Sequence, residues 1–582
     1  MPRGAGRIGW YLVWAVAFGS VASSMYFVPG LLLQAAGSGG AGLVGALSIA
    51  FLGLVAKEAE LTRRHPYGGG GVSQVRETFG ETTATIAGLL LLVDLSLTVA
   101  VSVEAAAEQV GGLGVPLALA ALVVIVVVNV VGVRGIVVVG LVMGLAALGL
   151  NGLVLVSVAV NGGSTPEPLS LGMWSHSALG LGWLAFSGIE VCALLSPAMK
   201  EWGSTPTRAL TALGVAVLAT GPLLMWFTAG LPHDALRAAH THLLPELARR
   251  TGGPVLGTAV AVAGGGLLLF AAHAALTASF QVQAVLVSLR AWPSPFVALS
   301  SRFQTPITAM CVVGLFAATL LVATSGDIRT LGLLYGAAFT LSVGLGSAAL
   351  DVQLWRQGVR GPLLFLGVGV TGLLFAGGVG ILVSEPWTAA VIGGAVIAGL
   401  AVGRLVRSGR MASGFAKIPG FAQPMSPSGR DLPFLTIAQA RQDRQPSAPA
   451  GILVASRGAD PRVFREAVDR ARSRGLTRVH VIYVDEVPGL LYPQQGQPTA
   501  EGLLVLESSC RTIVQLGLQP VALWAMSHSA ARSVAEAVVA CGCDTVIIGA
   551  TQRTVVWQAL RGRFIHDLKQ AVPVEVRITV VG

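Results

Sequence analysis

GSVASSMYFVPG, residues 19–30, lies inside an apolar run that extends from about residue 8 to residue 33. The run is long enough to cross a bilayer, because about 20 apolar residues cover the hydrocarbon core. Its middle does not suit a plain span. Gly19, Ser20, Ser23 and Ser24 crowd together there, and Pro29-Gly30 follows. Small and polar residues ahead of a Pro-Gly step predict an interrupted helix whose freed backbone groups face a ligand rather than lipid. Phe186-Ser187-Gly188-Ile189-Glu190 has the same quality, a charge beside a glycine within an apolar run. The two stretches fall in the first and sixth runs, five helices apart. Inverted five-helix repeats would bring such breaks together at a central site.

Twelve runs are read in all, at roughly 8–33, 40–58, 84–112, 116–133, 135–161, 173–198, 209–231, 253–290, 305–325, 328–355, 362–383 and 386–407. The eighth reads as a helix with an interfacial segment. Residues 1–407 are thus expected to be a polytopic α-helical membrane region of about twelve helices. Composition agrees: 53% of the 582 residues are hydrophobic and 11% charged, with mean hydropathy +0.74, whereas a water-soluble domain carries about a quarter charged residues. The 75 glycines suit close approach of membrane helices. A net charge of +10 raises nucleic acid as a partner, but the basic residues stand at the ends of the apolar runs, so none is expected. Arg3 and Arg7, then Arg63, Arg64 and Arg76, Arg134, Lys200 and Arg208, Arg290 and Arg302, Arg356 and Arg360, and Arg404, Arg407 and Arg410 mark every second loop. Both termini are therefore expected in the cytoplasm of a multi-pass cell (inner) membrane protein. The loop 232–252 breaks the pattern with Arg237, Arg249 and Arg250, and reads as a short amphipathic surface helix. The first run is too long for a cleavable leader and lacks a small-residue cleavage site.

An ionisable group in hydrocarbon needs a cavity or a partner. Asp94 lies near mid-membrane in the third run, with Thr98 and Ser102 one and two turns on along the same stripe. Glu104 and Glu108 follow towards the outer end and read as entrance residues. Glu190 is the second mid-membrane carboxylate. His273, near Thr277 and Ser279, is the candidate to carry a coupling proton. Pro66-Tyr67-Gly68-Gly69-Gly70-Gly71 lacks the Lys-Ser/Thr of a phosphate loop and reads as a tight turn. No nucleophile–base pair or metal cluster is visible, Cys541-Gly542-Cys543 included, so an enzyme is not expected and no cofactor is required.

Residues 408–449 hold Pro419, Pro424, Pro427, Pro433 and Pro446, several serines and mixed charge, and read as a linker. From 450 to 582 short apolar strands (452–456, 479–484, 520–526, 544–550, 576–581) alternate with helical segments (461–474, 500–517, 529–541, 555–570). That alternation predicts a parallel sheet with helices on both faces, a soluble α/β domain.

With these residues in view, the chain resembles the amino acid–polyamine–organocation transporter superfamily, and within it members bearing a universal-stress-protein domain. SSMYFVPG (23–30), HPYGGGG (65–71), NVVGVRG (129–135) and FSGIE (186–190), followed by Pro197 and Lys200, are similar to that superfamily's segments. LLVDLSLTVAVSV (91–103) and GDIRTLGLLYG (326–336) are similar to a subgroup that includes potassium importers of the KUP type gated by cyclic di-AMP. The resemblance implies a LeuT-type fold of two inverted five-helix repeats plus two further helices. It also implies transport of a small molecule or cation coupled to a proton or Na+. Ser20, Ser23, Ser24, Tyr26, Asp94, Thr98, Ser102, Ser187, Glu190 and Tyr335 would line the site. The chain departs from the potassium importers at Ser20 and Leu95, where they carry an Asp and a Tyr. It departs from the amino-acid members at Ser23-Ser24-Met25, where they carry smaller residues. Amino acids or related amines are the expected cargo. Potassium import regulated through the cytoplasmic domain, or a non-transporting nucleotide-responsive sensor, are the alternatives.

The tail resembles the universal stress protein fold, with Gly549 and Gly562 at two glycine positions of its nucleotide motif. Gln552 and Arg563 replace a glycine and a hydroxyl residue of that motif. ATP or cyclic di-AMP at Gly549, Gly562 and Arg563, and a homodimer formed through this domain, are what the resemblance implies.

Overall fold

The structure, a computed structural model, describes residues 8–37, 39–65, 69–109, 114–131, 136–162, 175–196, 199, 203–232, 235–236, 242–293, 296, 305–407, 434–444, 450–455, 461–486, 500–527, 529–549 and 564–581. The N-terminal region is helical: α1 (Trp10–Ser23), α2 (Val28–Ala36), α3 (Gly39–Arg64), α4 (Gly70–Phe79), α5 (Glu81–Gln109), α6 (Gly114–Val131), α7 (Ile136–Asn161), α8 (His176–Trp183), α9 (Val191–Leu194), α10 (Thr205–Ala229), α11 (Leu243–Ser288), α12 (Ile307–Ala323), α13 (Ile328–Arg356), α14 (Pro362–Ser384) and α15 (Pro386–Arg407). Among the described residues nine helices are long and apolar enough to cross a membrane. The pair α1 and α2, bent by 45° at a break, makes a tenth. Ser177–Phe186 and α12 are shorter apolar helices. Helices at the rim turn bare aliphatic side chains outward, among them Val123 and Val124 on α6, Val160 on α7 and Phe365 on α14. Water would not tolerate such a surface, but lipid does.

α5 is the opposite case. Almost all of it is buried, because α11, α13 and α6 pack along it. Every polar group on its inner stretch is therefore shut inside the bundle. α11 begins earlier than its apolar run, at Leu243, and turns at Gly253 (φ 86°) just before Pro254. The segment ahead of that kink is the amphipathic piece expected around 232–252. Its Glu246 binds both Arg249 and Arg250, which offsets part of the basic charge of this segment.

The tail forms β1 (Phe434–Thr436), α16 (Ile437–Gln442), β2 (Gly451–Ala455), α17 (Pro461–Ser473), β3 (Arg478–Glu486), α18 (Ala500–Gln515), β4 (Gln519–Ser527), α19 (Ala530–Cys541), β5 (Cys543–Gly549), α20 (Phe564–Ala571) and β6 (Arg577–Val581). The sheet order is β1-β4-β3-β2-β5-β6, and every pair is parallel. β2 shows why helices cover both faces. Ile452 and Val454 enter one core with Phe464 and Leu506, while Leu453 enters the other with Val534 and Val538; side chains alternate across a strand. A sheet buried on both sides must be apolar throughout. The segment read as a linker is not wholly one: Phe434–Thr436 adds an edge strand beside β4, and α16 packs on α19. Phe434 anchors it edge-on to Trp524, whose indole N–H donates to Asp485 (2.7 Å). At the start of β5, Arg474 forks onto Asp544 and holds its carboxyl below the usual carboxylate range.

Candidate functional site

Both suspected breaks are present, and they meet. α1 gives way to a single tighter turn at Ser24–Tyr26, and Phe27 (φ −130°, ψ −29°) leaves helical geometry before Pro29 restarts the chain as α2. In the sixth run α8 passes through a tight turn at Leu184–Phe186, Ser187 becomes extended, and Gly188 takes φ 97°. Only glycine adopts that conformation without strain. Gly188 also lies hard against Ser20: a Cβ there would stand 2.4 Å from Ser20 Oγ. Ser24 Oγ and Ser187 Oγ are 3.0 Å apart across the two breaks.

Two carboxylates sit beside this junction. Glu190 accepts the Gly188 amide on Oε2 (3.0 Å), so the break itself positions it, while Oε1 is buried without a partner. Asp94 is fully buried. Its Oδ2 accepts from Ser342 Oγ on α13 at 3.4 Å, and Oδ1 has no partner. An ionised oxygen left bare in hydrocarbon is costly, which makes the two carboxylates the candidate polar centre of the site. Tyr335 is buried on α13 with its hydroxyl facing Ser187 and Thr98. Thr98 bonds back to the Asp94 carbonyl (3.0 Å).

The remaining expected site residues are spent differently. Ser23 Oγ donates to the Ser20 carbonyl (2.6 Å), an internal helix bond. Tyr26 is turned onto α11, where Gly264 makes room for its ring, and its hydroxyl is buried without a partner. Ser102 is buried further along α5. Glu104, read as an entrance residue, is instead buried under the turn at Gly326. His273 is held in a polar clasp: Asn129 Nδ2 reaches its Nδ1 (2.8 Å), and Thr277 donates to Asn129 Oδ1 (2.9 Å). Among the described residues it forms no ion pair. Gly549 ends β5 with ordinary space around it, a Cβ meeting Val463 at 3.6 Å. Gly562 and Arg563 lie outside the described residues.

Three charged residues escaped the sequence reading: Lys57, Glu58 and Asp351. The apolar run closes at 58, but α3 continues helical to Arg64, so Lys57 and Glu58 are inside the bundle and not at its boundary. Lys57 Nζ bonds Asp351 (2.7 Å) and Thr371 (2.6 Å), all three buried. Glu58, Glu190, Ser342 and the Gly69–Gly71 turn line a cavity of about 30 Å³, room for about two waters. The glycines are needed there: a Cβ on Gly70 would strike Ala193 at 2.6 Å, and one on Gly71 would press Gly346 at 3.3 Å.

No curated protein matches the chain. Among solved structures, a universal stress protein from Archaeoglobus fulgidus matches 23% of this chain and 100% of its own, at 18% identity and a TM-score of 0.20, too low to bear on the fold. A family model described as amino acid permease matches residues 8–399, which contain both helix breaks, Asp94, Glu190 and Tyr335. The chain belongs to the amino acid permease family, whose members are multi-pass membrane transporters and not enzymes.

Proposed function

We propose that this protein is a secondary transporter for amino acids or related amines, with the cargo held between the two helix breaks. The observation that carries this reading is the junction itself: Ser24 against Ser187, with unpartnered oxygens of Asp94 and Glu190 beside it. Half-helix ends and bare carboxylate oxygens together offer donors for a cargo carboxylate and acceptors for its ammonium. Breaks in the first and sixth spans support an arrangement of two inverted five-helix repeats, working in the cell membrane with both termini in the cytoplasm. The α/β tail is the regulatory element of this reading. Met526, at the end of β4, packs on a small apolar patch formed by Phe280, Ala309 and Met310, which gives the domain a handle on α11 and α12.

Reconstitution into liposomes tests the reading. Labelled amino acids or amines should accumulate, and rubidium should not. Asp94→Asn should reduce uptake about 10–150-fold, the effect of losing one hydrogen bond to a charged partner. Rubidium uptake with no amino-acid counterflow would point to potassium import instead.

A further inference from the structure

Glu58 has no role in the cargo site, yet it is among the best-buried charged residues of the bundle, 4% exposed. It stands on α3 six residues before Arg64, about 9 Å from that end at 1.5 Å per residue. Across the small cavity it faces Glu190. Glu190 Oε1 is buried without a partner, and Ser342, on the same cavity wall, donates to Asp94, whose Oδ1 is also bare. The carboxylates thus form a file from the helix breaks towards the arginine-bearing end: Asp94, then Glu190, then Glu58.

The charges around Glu58 do not balance it. On its own helix Lys57 is turned to Asp351 and Thr371, and Glu60 is paired with Arg63 and Arg64. From the α9 side come Glu190 and the buried Cys192. From α13 comes Asp351, already held by Lys57. On α4, Arg76 reaches Glu81 and Glu77 lies near His65. α2 and α14 carry no titratable side chain, α8 carries only His176 at its first position, and Arg208 on α10 is exposed. No described cation faces the cavity. Two carboxylates this close in a low-dielectric interior do not both keep their charge. The cavity is too small for an amino acid but admits water.

We propose that Glu58 and Glu190 pass the coupling proton through this cavity, with Glu58 the group that releases it to the cytoplasm. The proton leaves the Glu190 carboxyl, crosses by way of cavity water and is taken up by the Glu58 carboxylate; no other bond changes. Cargo binding at the breaks and proton release are joined because Glu190 belongs to both. His273, closed in by Asn129 and Thr277, has no part in the relay. The proposal rests on the transport reading above.

The test uses the full chain in liposomes, with a labelled amino acid that the wild type takes up. With one proton per cargo molecule, one pH unit (acid outside) raises wild-type accumulation about tenfold. Glu58→Gln should lose that response and keep counterflow exchange, which moves no net proton, and the counterflow also certifies the fold. If Glu58→Gln loses counterflow as well, Glu58→Asp decides: a retained but displaced pH profile of uptake supports the relay, and an unchanged profile overturns it. Undiminished pH-driven accumulation in Glu58→Gln overturns it too. So does wild-type uptake that follows a Na+ gradient and ignores pH, an outcome that leaves amino-acid transport standing.

Discussion

Gly188→Val abolishes uptake, by at least about 100-fold, while the protein still inserts and purifies as a folded species. Two independent facts at this residue set that expectation. Its φ of 97° lies where side-chain-bearing residues are strained, at about 1–3 kcal/mol. A Cβ would also stand 2.4 Å from Ser20 Oγ, 2.8 Å from Ser20 Cβ and 3.1 Å from Ser20 carbonyl carbon. The hydroxyl can rotate away, but the backbone carbon cannot, so the two helix breaks must separate. Separation pulls Ser187 from Ser24 and swings the Gly188 amide away from Glu190. Gly80→Val is the matched control. Gly80 has a similar φ of 88°, between α4 and α5, with nothing within 4 Å of its Cβ position. It carries the strain without the collision, so it should lower stability and leave uptake largely intact. Proteoliposome uptake, normalised to protein eluting as a single species in detergent, measures both. Equal loss in the two variants would show that backbone strain alone accounts for the effect, and that contact between the breaks does not matter.

The sequence made this junction legible for a physical reason. Hydrocarbon gives an isolated polar group no solvent, so Asp94, Glu190 and the serine cluster stand out against an apolar background. The same logic failed at the helix ends. Lys57, Glu58 and Asp351 lie where an apolar run fades into charge, and a run cannot show that its helix continues inside the bundle. Only packing reveals it: α3 packs against α10, α14 and α4. Tyr26 and His273 differ in another way. Each is a polar side chain at mid-span, but one packs against Gly264 and the other is satisfied by Asn129. Partner choice of that kind depends on residues far away in the chain. The edge strand Phe434–Thr436 was hidden because three residues carry no periodicity, and proline-rich surroundings mask them.

Asp351→Leu should be among the most destabilising single substitutions in the membrane region, and Lys57→Met should rescue it. Lys57, Asp351 and Thr371 form a closed triangle of bonds, 2.7, 2.6 and 2.6 Å, tying α3 to α13 and α14. Gly367 leaves the space for it, since a Cβ there would lie 3.0 Å from Lys57 Cε. Removing one member leaves a buried, uncompensated charge, which costs about 3–5 kcal/mol. Replacing both by apolar side chains of similar volume removes the charges together, and such replacements are often neutral or stabilising by about 1–4 kcal/mol. The double variant Lys57→Met/Asp351→Leu should therefore be close to the wild type in resistance to unfolding in micelles, with both single variants well below it. Asp351 Oδ1, buried and without a partner, argues that the pair is not optimised for stability, which makes the rescue expected rather than accidental. Transport separates the two roles the triangle can have. If the rescued double variant transports normally, the ion pair only balances charge. If it is stable but slow, the triangle also sets how α3 moves against α13 and α14, and the membrane region has kept a buried ion pair for motion rather than for stability.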